Sequence, residues 1–153
     1  QTGTIQYQHT NKKFGSNAFI GVLMLNVAIE PAHKPVPFSC GNCTKCVDAC
    51  PTNALNGRSI DARRCISYLT LETKSPIPEN LKGKLNGWIV GCDICSDVCP
   101  WNIRFAHPHN HPELVPTPEI YTLIREEWEQ MSYEQFKQRF RTSAVMRVKR
   151  KWD

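Results

Sequence analysis

The sequence predicts an α+β chain built around one small cysteine-rich module, with an apolar strand before it and helices after it. Three observations lead there. Eight cysteines crowd into residues 40–99 of a 153-residue chain, seven of them in two tight runs. Phe19–Ile29 is apolar on both alternations, the pattern of a strand covered on both faces. Helix start signals and helical apolar spacing recur between residues 117 and 141. The length suits one compact domain.

Residues 1–39 contribute the strand, which Pro31, Pro35 and Pro37 bring to a stop. Little sequence precedes it to pair with, so this segment is expected to be the edge of a larger, preceding domain. Residues 40–104 form the cysteine module. Asp61 is placed to cap a helix through "ARRCISYLTLE", which carries Cys65. Pro76 and Pro78 break the chain, and Pro78 suits the first turn of a short helix. Residues 105–153 begin as a polar loop and continue as helices. Thr117, Pro118 and Glu119 signal a helix start, with Ile120, Tyr121, Ile124 and Trp128 on one face. Ser132 and Gln135 fit a capping box. Tyr133, Phe136 and Phe140 extend the apolar stripe, and Lys137, Arg139 and Arg141 face elsewhere.

The formal net charge is +5, and seven Lys and Arg residues fall between 137 and 152 with no acid among them. Such a stretch attracts a polyanion or forms a solvated helix face. No secretory signal pattern opens the chain. The longest apolar stretch, Ala18–Ile29, is interrupted by Gly21 and Asn26 and falls short of the about 20 residues of a membrane span. A cytoplasmic chain with no membrane segment is expected. Its cysteines then read as metal ligands rather than a disulfide framework.

The first run is Cys40-x2-Cys43-x2-Cys46-x3-Cys50-Pro51. It matches the run by which bacterial ferredoxins hold cubane iron–sulfur clusters. Three closely spaced thiolates let a loop wrap one cube and turn its backbone N–H groups toward the sulfurs, while the fourth cysteine points to a second cube. The second run, Cys92-x2-Cys95-x3-Cys99-Pro100, is one ligand short, since Ile89 stands where the missing cysteine belongs. Either Cys65 is a buried structural thiol and the second cluster has three protein ligands, or Cys65 fills that gap and all eight thiols are used. The resulting assignment crosses the runs: Cys40, Cys43, Cys46 and Cys99 hold one 4Fe–4S cluster, and Cys50, Cys65, Cys92 and Cys95 hold the other. Two zinc sites would also use eight thiolates, but they pair C-x2-C knuckles and do not need the x3-Cys-Pro ending. A thioredoxin-like redox pair fits less well, because C-x2-C recurs in triplicate.

The stretches "CGNCTKCVDACPTNAL", "DARRCISYLTLE", "GCDICSDVCPWN" and "RTSAVMRVKR" resemble the later part of the epoxyqueuosine reductases, as do "FGSNAF" and "RFAHPHNHPEL". The motifs keep their order from about Phe14 onward. The resemblance implies a ferredoxin-like module that follows a corrinoid-binding α/β domain, in an enzyme that reduces epoxyqueuosine to queuosine in transfer RNA. It implies that cobalamin performs the reduction, that two 4Fe–4S clusters supply its electrons from an external donor, and that the eight cysteines occupy the family's ligand positions. Here the family's long N-terminal region, with most of the cobalamin pocket and the proton-donating acid, is not represented. The chain alone is therefore expected to lack reductase activity, and no catalytic residue is assigned.

A transfer RNA substrate gives the basic tail a role, with Arg147, Lys149 and Arg150 expected at its phosphates. Other candidates carry less weight. His107, His109 and His111 could ligate a metal, but the interleaved prolines suit an extended loop. Trp101 could shield a cluster or simply pack. Ser67, Tyr68 and Thr70 share the helix with Cys65 and could reach a cofactor. The competing functions are a stand-alone two-cluster electron carrier and the corresponding module of a reductive dehalogenase, which would have no use for the basic tail.

Overall fold

The computed structural model describes residues 15–17, 21–30, 40–57, 59–108, 110–115 and 122–148. The regular elements there are short: α1 (Lys45–Ala49), β1 (Leu55–Asn56), β2 (Ser59–Ile60), α2 (Ile66–Leu71), α3 (Glu79–Lys82), α4 (Ile94–Asp97), α5 (Pro100–Phe105), α6 (Arg125–Gln130) and α7 (Tyr133–Phe140). Single 3-10 turns form at Ala62–Arg64, Pro112–Leu114 and Ala144–Arg147. β1 and β2 pair antiparallel, with Leu55 opposite Ile60 and Asn56 opposite Ser59. Gly57, at φ +59°, supplies the left-handed step that so tight a hairpin requires.

The two cysteine runs fold alike. Thr44 and Asp93 enter α1 and α4 at nearly the same backbone angles, φ −117° and −115°. Cys50 and Cys99 are both extended, with ψ 111° and 120°. Each precedes a proline, whose ring disfavours the helical conformation in the residue before it. The Cys-Pro ending therefore stops one element and turns the cysteine side chain out of it. α1 packs against both α4 and β1, and α4 leads into contact with α5, so the halves of the module meet through their cysteine-bearing turns.

Three expectations change. The Phe19–Ile29 strand does not form where it is described: residues 21–30 carry no strand and are exposed, Met24 at 92%. Phe19 and Ile20 lie outside the described residues. A run apolar on both faces needs neighbours on both, and none of the described residues covers it. The helix through "ARRCISYLTLE" is split. Asp61 does cap, accepting from the Arg63 N–H, but what it caps is the 3-10 turn, and Cys65 is extended before α2 begins. Ile124 is 59% exposed and precedes α6 rather than lying on its buried face. The start signal at 117–119 lies outside the described residues.

Two cores result. The module buries Ala54, Leu55, Ile66, Leu69, Leu81, Leu85 and Cys99. The C-terminal helices bury Trp128, Met131, Phe136, Phe140 and Val148, with Leu71, Ile89 and Val90 of the module packed against them. The Ser132–Gln135 capping box forms in full and fixes where α7 starts. Pro78 stands one residue ahead of α3, as its N-cap. Among the described residues no helix is long and apolar enough to cross a membrane.

Candidate metal centre

Cys50, Cys65, Cys92 and Cys95 line one cavity, together with Thr52 and apolar side chains that include Leu55, Ile60, Ile66 and Ile94. These are the four thiols that the sequence groups into one set, drawn from both runs and from the lone Cys65. Three are delivered by chain breaks, Cys50 by the end of α1, Cys65 by the split before α2 and Cys92 by the turn into α4, and Cys95 stands in the first turn of α4 itself. In the other set, Cys43 donates its N–H to the Cys40 carbonyl at 3.0 Å, closing the loop between them. Cys46 on α1 lies within electrostatic reach of Cys40 and of Cys95 across the helix pair. Cys99 is buried at the start of α5. All eight cysteines are free thiols.

The sulfurs differ in their surroundings. Burial pushes the Cys46 thiol up as the largest cause, backbone N–H groups of Val47 and Cys46 pull it down, and charge on Cys95 and Cys40 raises it, for a net rise. Cys92 is likewise raised, first by burial and then by Cys95, Cys65 and Asp93, against a hydrogen bond from the Ile94 backbone. At Cys50 burial also pushes up, but hydrogen bonds win. The Thr52 hydroxyl and the backbone N–H groups of Ala54, Thr52 and Leu55 leave that thiol below its ordinary range. The Ala54 N–H donates to Cys50 Sγ at 3.3 Å, and Thr52 Oγ1 stands 3.5 Å from the same sulfur.

This arrangement fits a polynuclear group better than a single ion. One zinc draws four sulfurs to within about 2.3 Å of a point. Among the described residues, no three His, Cys, Asp or Glu side chains converge closely enough to hold one metal ion. A ring of thiols around an apolar cavity, with N–H groups turned onto sulfur, is the environment that thiolate-held iron–sulfur cubes use.

Sequence reasoning missed three polar ties that hold the ligand-bearing segments. Thr70, 2% exposed, donates to the Ile66 carbonyl at 2.8 Å and accepts the Gly91 N–H at 2.9 Å. That bond joins the helix after Cys65 to the residue before Cys92. Arg64 Nε donates to the Thr52 carbonyl at 2.9 Å. Asn102, buried on α5, donates to the Ser96 carbonyl and accepts from the Ser16 N–H and hydroxyl, each at 2.7 Å. A Cβ at Gly15 would lie 2.5 Å from Asn102 Oδ1, so only glycine allows that approach. A polar residue directly after a Cys-Pro-Trp ending was the one available signal for Asn102.

The remaining candidates are placed as follows. Trp101 stacks on Phe105 at 5.4 Å and is half-buried. Tyr68 is 40% exposed. His107 and His111 are exposed, and His109 lies outside the described residues. So do Lys149, Arg150 and the side chain of Arg147. Lys137 and Arg139 are paired with Glu134 and Glu127.

A family model described as "4Fe-4S double cluster binding domain" matches residues 39–102. An epoxyqueuosine reductase of Leadbetterella byssophila is 46% identical over 139 residues, covering 91% of this chain and 45% of that protein. One from Cellulophaga algicola is 43% identical over 146 residues, covering 93% and 47%. Among solved structures, the epoxyqueuosine reductase of Bacillus subtilis is similar at a TM-score of 0.79 and 38% identity, over 93% of this chain and 38% of that one. Another, solved with a tRNA-Tyr epoxyqueuosine-modified stem loop, is similar at 0.68 and 40%, over 80% and 32%. The chain thus spans less than half the length of these relatives.

Proposed function

From the premise that this chain is homologous over most of its length to the epoxyqueuosine reductases, we propose that it provides the electron-relay part of such an enzyme. Cys40, Cys43, Cys46 and Cys99 hold one 4Fe–4S cluster, and Cys50, Cys65, Cys92 and Cys95 hold the other. The observation that carries this reading is the single cavity ringed by Cys50, Cys65, Cys92 and Cys95. When bound, such clusters supply one-electron transfer at a potential set by burial and by hydrogen bonds to sulfur. The chain's own work is to hold and shield. Ile66, Leu55 and Ile94 keep water from one face of the cavity, and the N–H of Ala54 stabilises negative charge on the Cys50 sulfur.

In the complete enzyme the electrons go from an external donor to cobalamin, which reduces epoxyqueuosine in transfer RNA to queuosine, in the cytoplasm. Residues 1–39 are the edge of the corrinoid-binding domain, residues 40–104 the two-cluster module, and residues 105–153 the polar loop and helices with the basic tail. The exposure of Val22, Leu23, Met24 and Ile29 supports the first assignment, since so much apolar surface calls for a cover. Arg147, Lys149 and Arg150 contribute phosphate contacts. Their charge reversal lowers RNA affinity and flattens its dependence on salt.

Counting iron and acid-labile sulfide in anaerobically purified protein tests the core of the proposal. About eight of each per chain are expected, with a brown colour that bleaches on reduction. Stoichiometric zinc in place of iron would falsify it.

A further inference from the structure

Thr52 is the second residue past Cys50 and is completely buried. Its hydroxyl reaches Cys50 Sγ at 3.5 Å, and either atom can be the donor while Cys50 is a thiol. Ligation removes that freedom. A metal-bound thiolate has no proton to give, so the hydroxyl must donate and the sulfur accept. Thr52 is also held from its other end, by Arg64 Nε on its carbonyl at 2.9 Å. Arg64 closes the 3-10 turn that delivers Cys65, so one arginine links the segments carrying two thiols of the same cavity. Asn53 turns the chain at φ +50°, and the Ala54 N–H then donates to the same sulfur at 3.3 Å. Cys50 therefore sits in a cradle of donors, of which the Thr52 hydroxyl is a buried side chain that a substitution can remove without disturbing the ligand.

Resting on the cluster assignment above, we propose that Thr52, held in place by Arg64, is a positioning residue that raises the reduction potential of the cluster bound by Cys50, Cys65, Cys92 and Cys95. Reduction adds one negative charge to the cube and its thiolates. A donor aimed at a ligand sulfur stabilises the reduced form more than the oxidised one. Removing it lowers the potential. The other cluster, which does not include Cys50, keeps its own.

The test is a potentiometric titration of the anaerobically purified chain, followed by visible absorbance and by the spin signals of the reduced clusters. Thr52→Val replaces the hydroxyl with a methyl of similar size. It is expected to lower one of the two midpoints by about tenfold in the reduction equilibrium, roughly 59 mV for a one-electron couple, and to leave the other unchanged. Thr52→Ser, which keeps the donor, is expected to restore it. Unchanged midpoints in Thr52→Val, equal movement of both, or equal shifts in Val and Ser variants overturn the proposal. If Thr52→Val does not retain that cluster, Arg64→Lys decides: it keeps the charge but loses the Nε bond to the Thr52 carbonyl. A smaller downward shift of the same single midpoint is expected, and no shift overturns the proposal. An unsubstituted chain without cluster iron would instead sink the functional assignment itself, so the two failures read differently.

Discussion

The module and the C-terminal helices meet at Leu71, Ile89 and Val90, yet they are built from different materials. α6 and α7 close over Trp128, Phe136 and Phe140, whose rings meet edge-on or tilted at 5.4–6.5 Å. Phe136 and Phe140 are essentially inaccessible, at 0% and 1%. The module's helices have four to six residues, and its hairpin strands have two each. Its interior is assembled from Thr52, Ala54, Leu55, Ile66, Leu69 and Thr70 around a thiol-ringed cavity. Helices this short do not persist on their own. The helical pair is held by aromatic burial, whereas the module encloses a cavity lined by four cysteines. An element that must place sulfurs around a shared cavity cannot also be long and regular.

Removing the bound group makes the sharpest break in that contrast. Oxidative loss of iron followed by chelation is expected to unfold the module while α6 and α7 stay folded. Hydrogen exchange measured segment by segment would then rise across residues 45–106 far more than across 125–140. Uniform protection in both regions would erase the distinction. Cys92→Ser is expected to lose one cluster, about half the iron, by the same logic.

Phe136→Ala probes the other side. Truncating a fully buried aromatic costs about 3–5 kcal/mol, read as denaturant stability of the helical pair, with iron per folded chain unchanged. Thr70→Val lies between the regions in size. It strands the Gly91 N–H next to Cys92 and costs about 1–3 kcal/mol, appearing as faster cluster loss rather than weaker helix packing. Ser132→Ala removes the α7 cap at about 1 kcal/mol, visible in thermal melts and silent in the cluster spectrum.

The smallest effect concerns protons in the cluster-free chain. Cys46 and Cys92 are raised, first by burial, so the folded chain holds their protons more tightly than the unfolded one. Their contribution to stability is present below the ordinary thiol range and is lost as pH rises through their raised values. Cys50 is lowered, with burial outweighed by its hydrogen bonds, so its contribution is present above that range and is lost as pH falls through its depressed value. Alkylation followed by mass spectrometry should show Cys50 reacting to lower pH than the other two. Coincident profiles would remove the asymmetry between the sulfurs.

What could be read from the sequence follows from how local each feature is. The Cys50-Pro51 and Cys99-Pro100 endings act on adjacent residues, and the Ser132–Gln135 cap closes within three, so their patterns survive without knowledge of the fold. The break at Cys65 does not. Residues 62–71 have helical composition throughout, but Arg64 is drawn to the Thr52 carbonyl twelve positions away, and the helix restarts only beyond Cys65. Thr70 to Gly91 and Asn102 to Ser16 span 21 and 86 positions, and no periodicity announces such bonds. The apolar run before the module misled for a related reason. Its composition suits a strand, but strand formation requires a neighbour to pair with.

The cavity takes two walls from the first half of the module and two from the second, with α1 seated on α4 between them. A protease cutting the proline-bearing loop at 73–78 would therefore sever the backbone without separating the pieces. With the proposed clusters bound, they would stay clasped through inorganic links until oxidation opened the clasp.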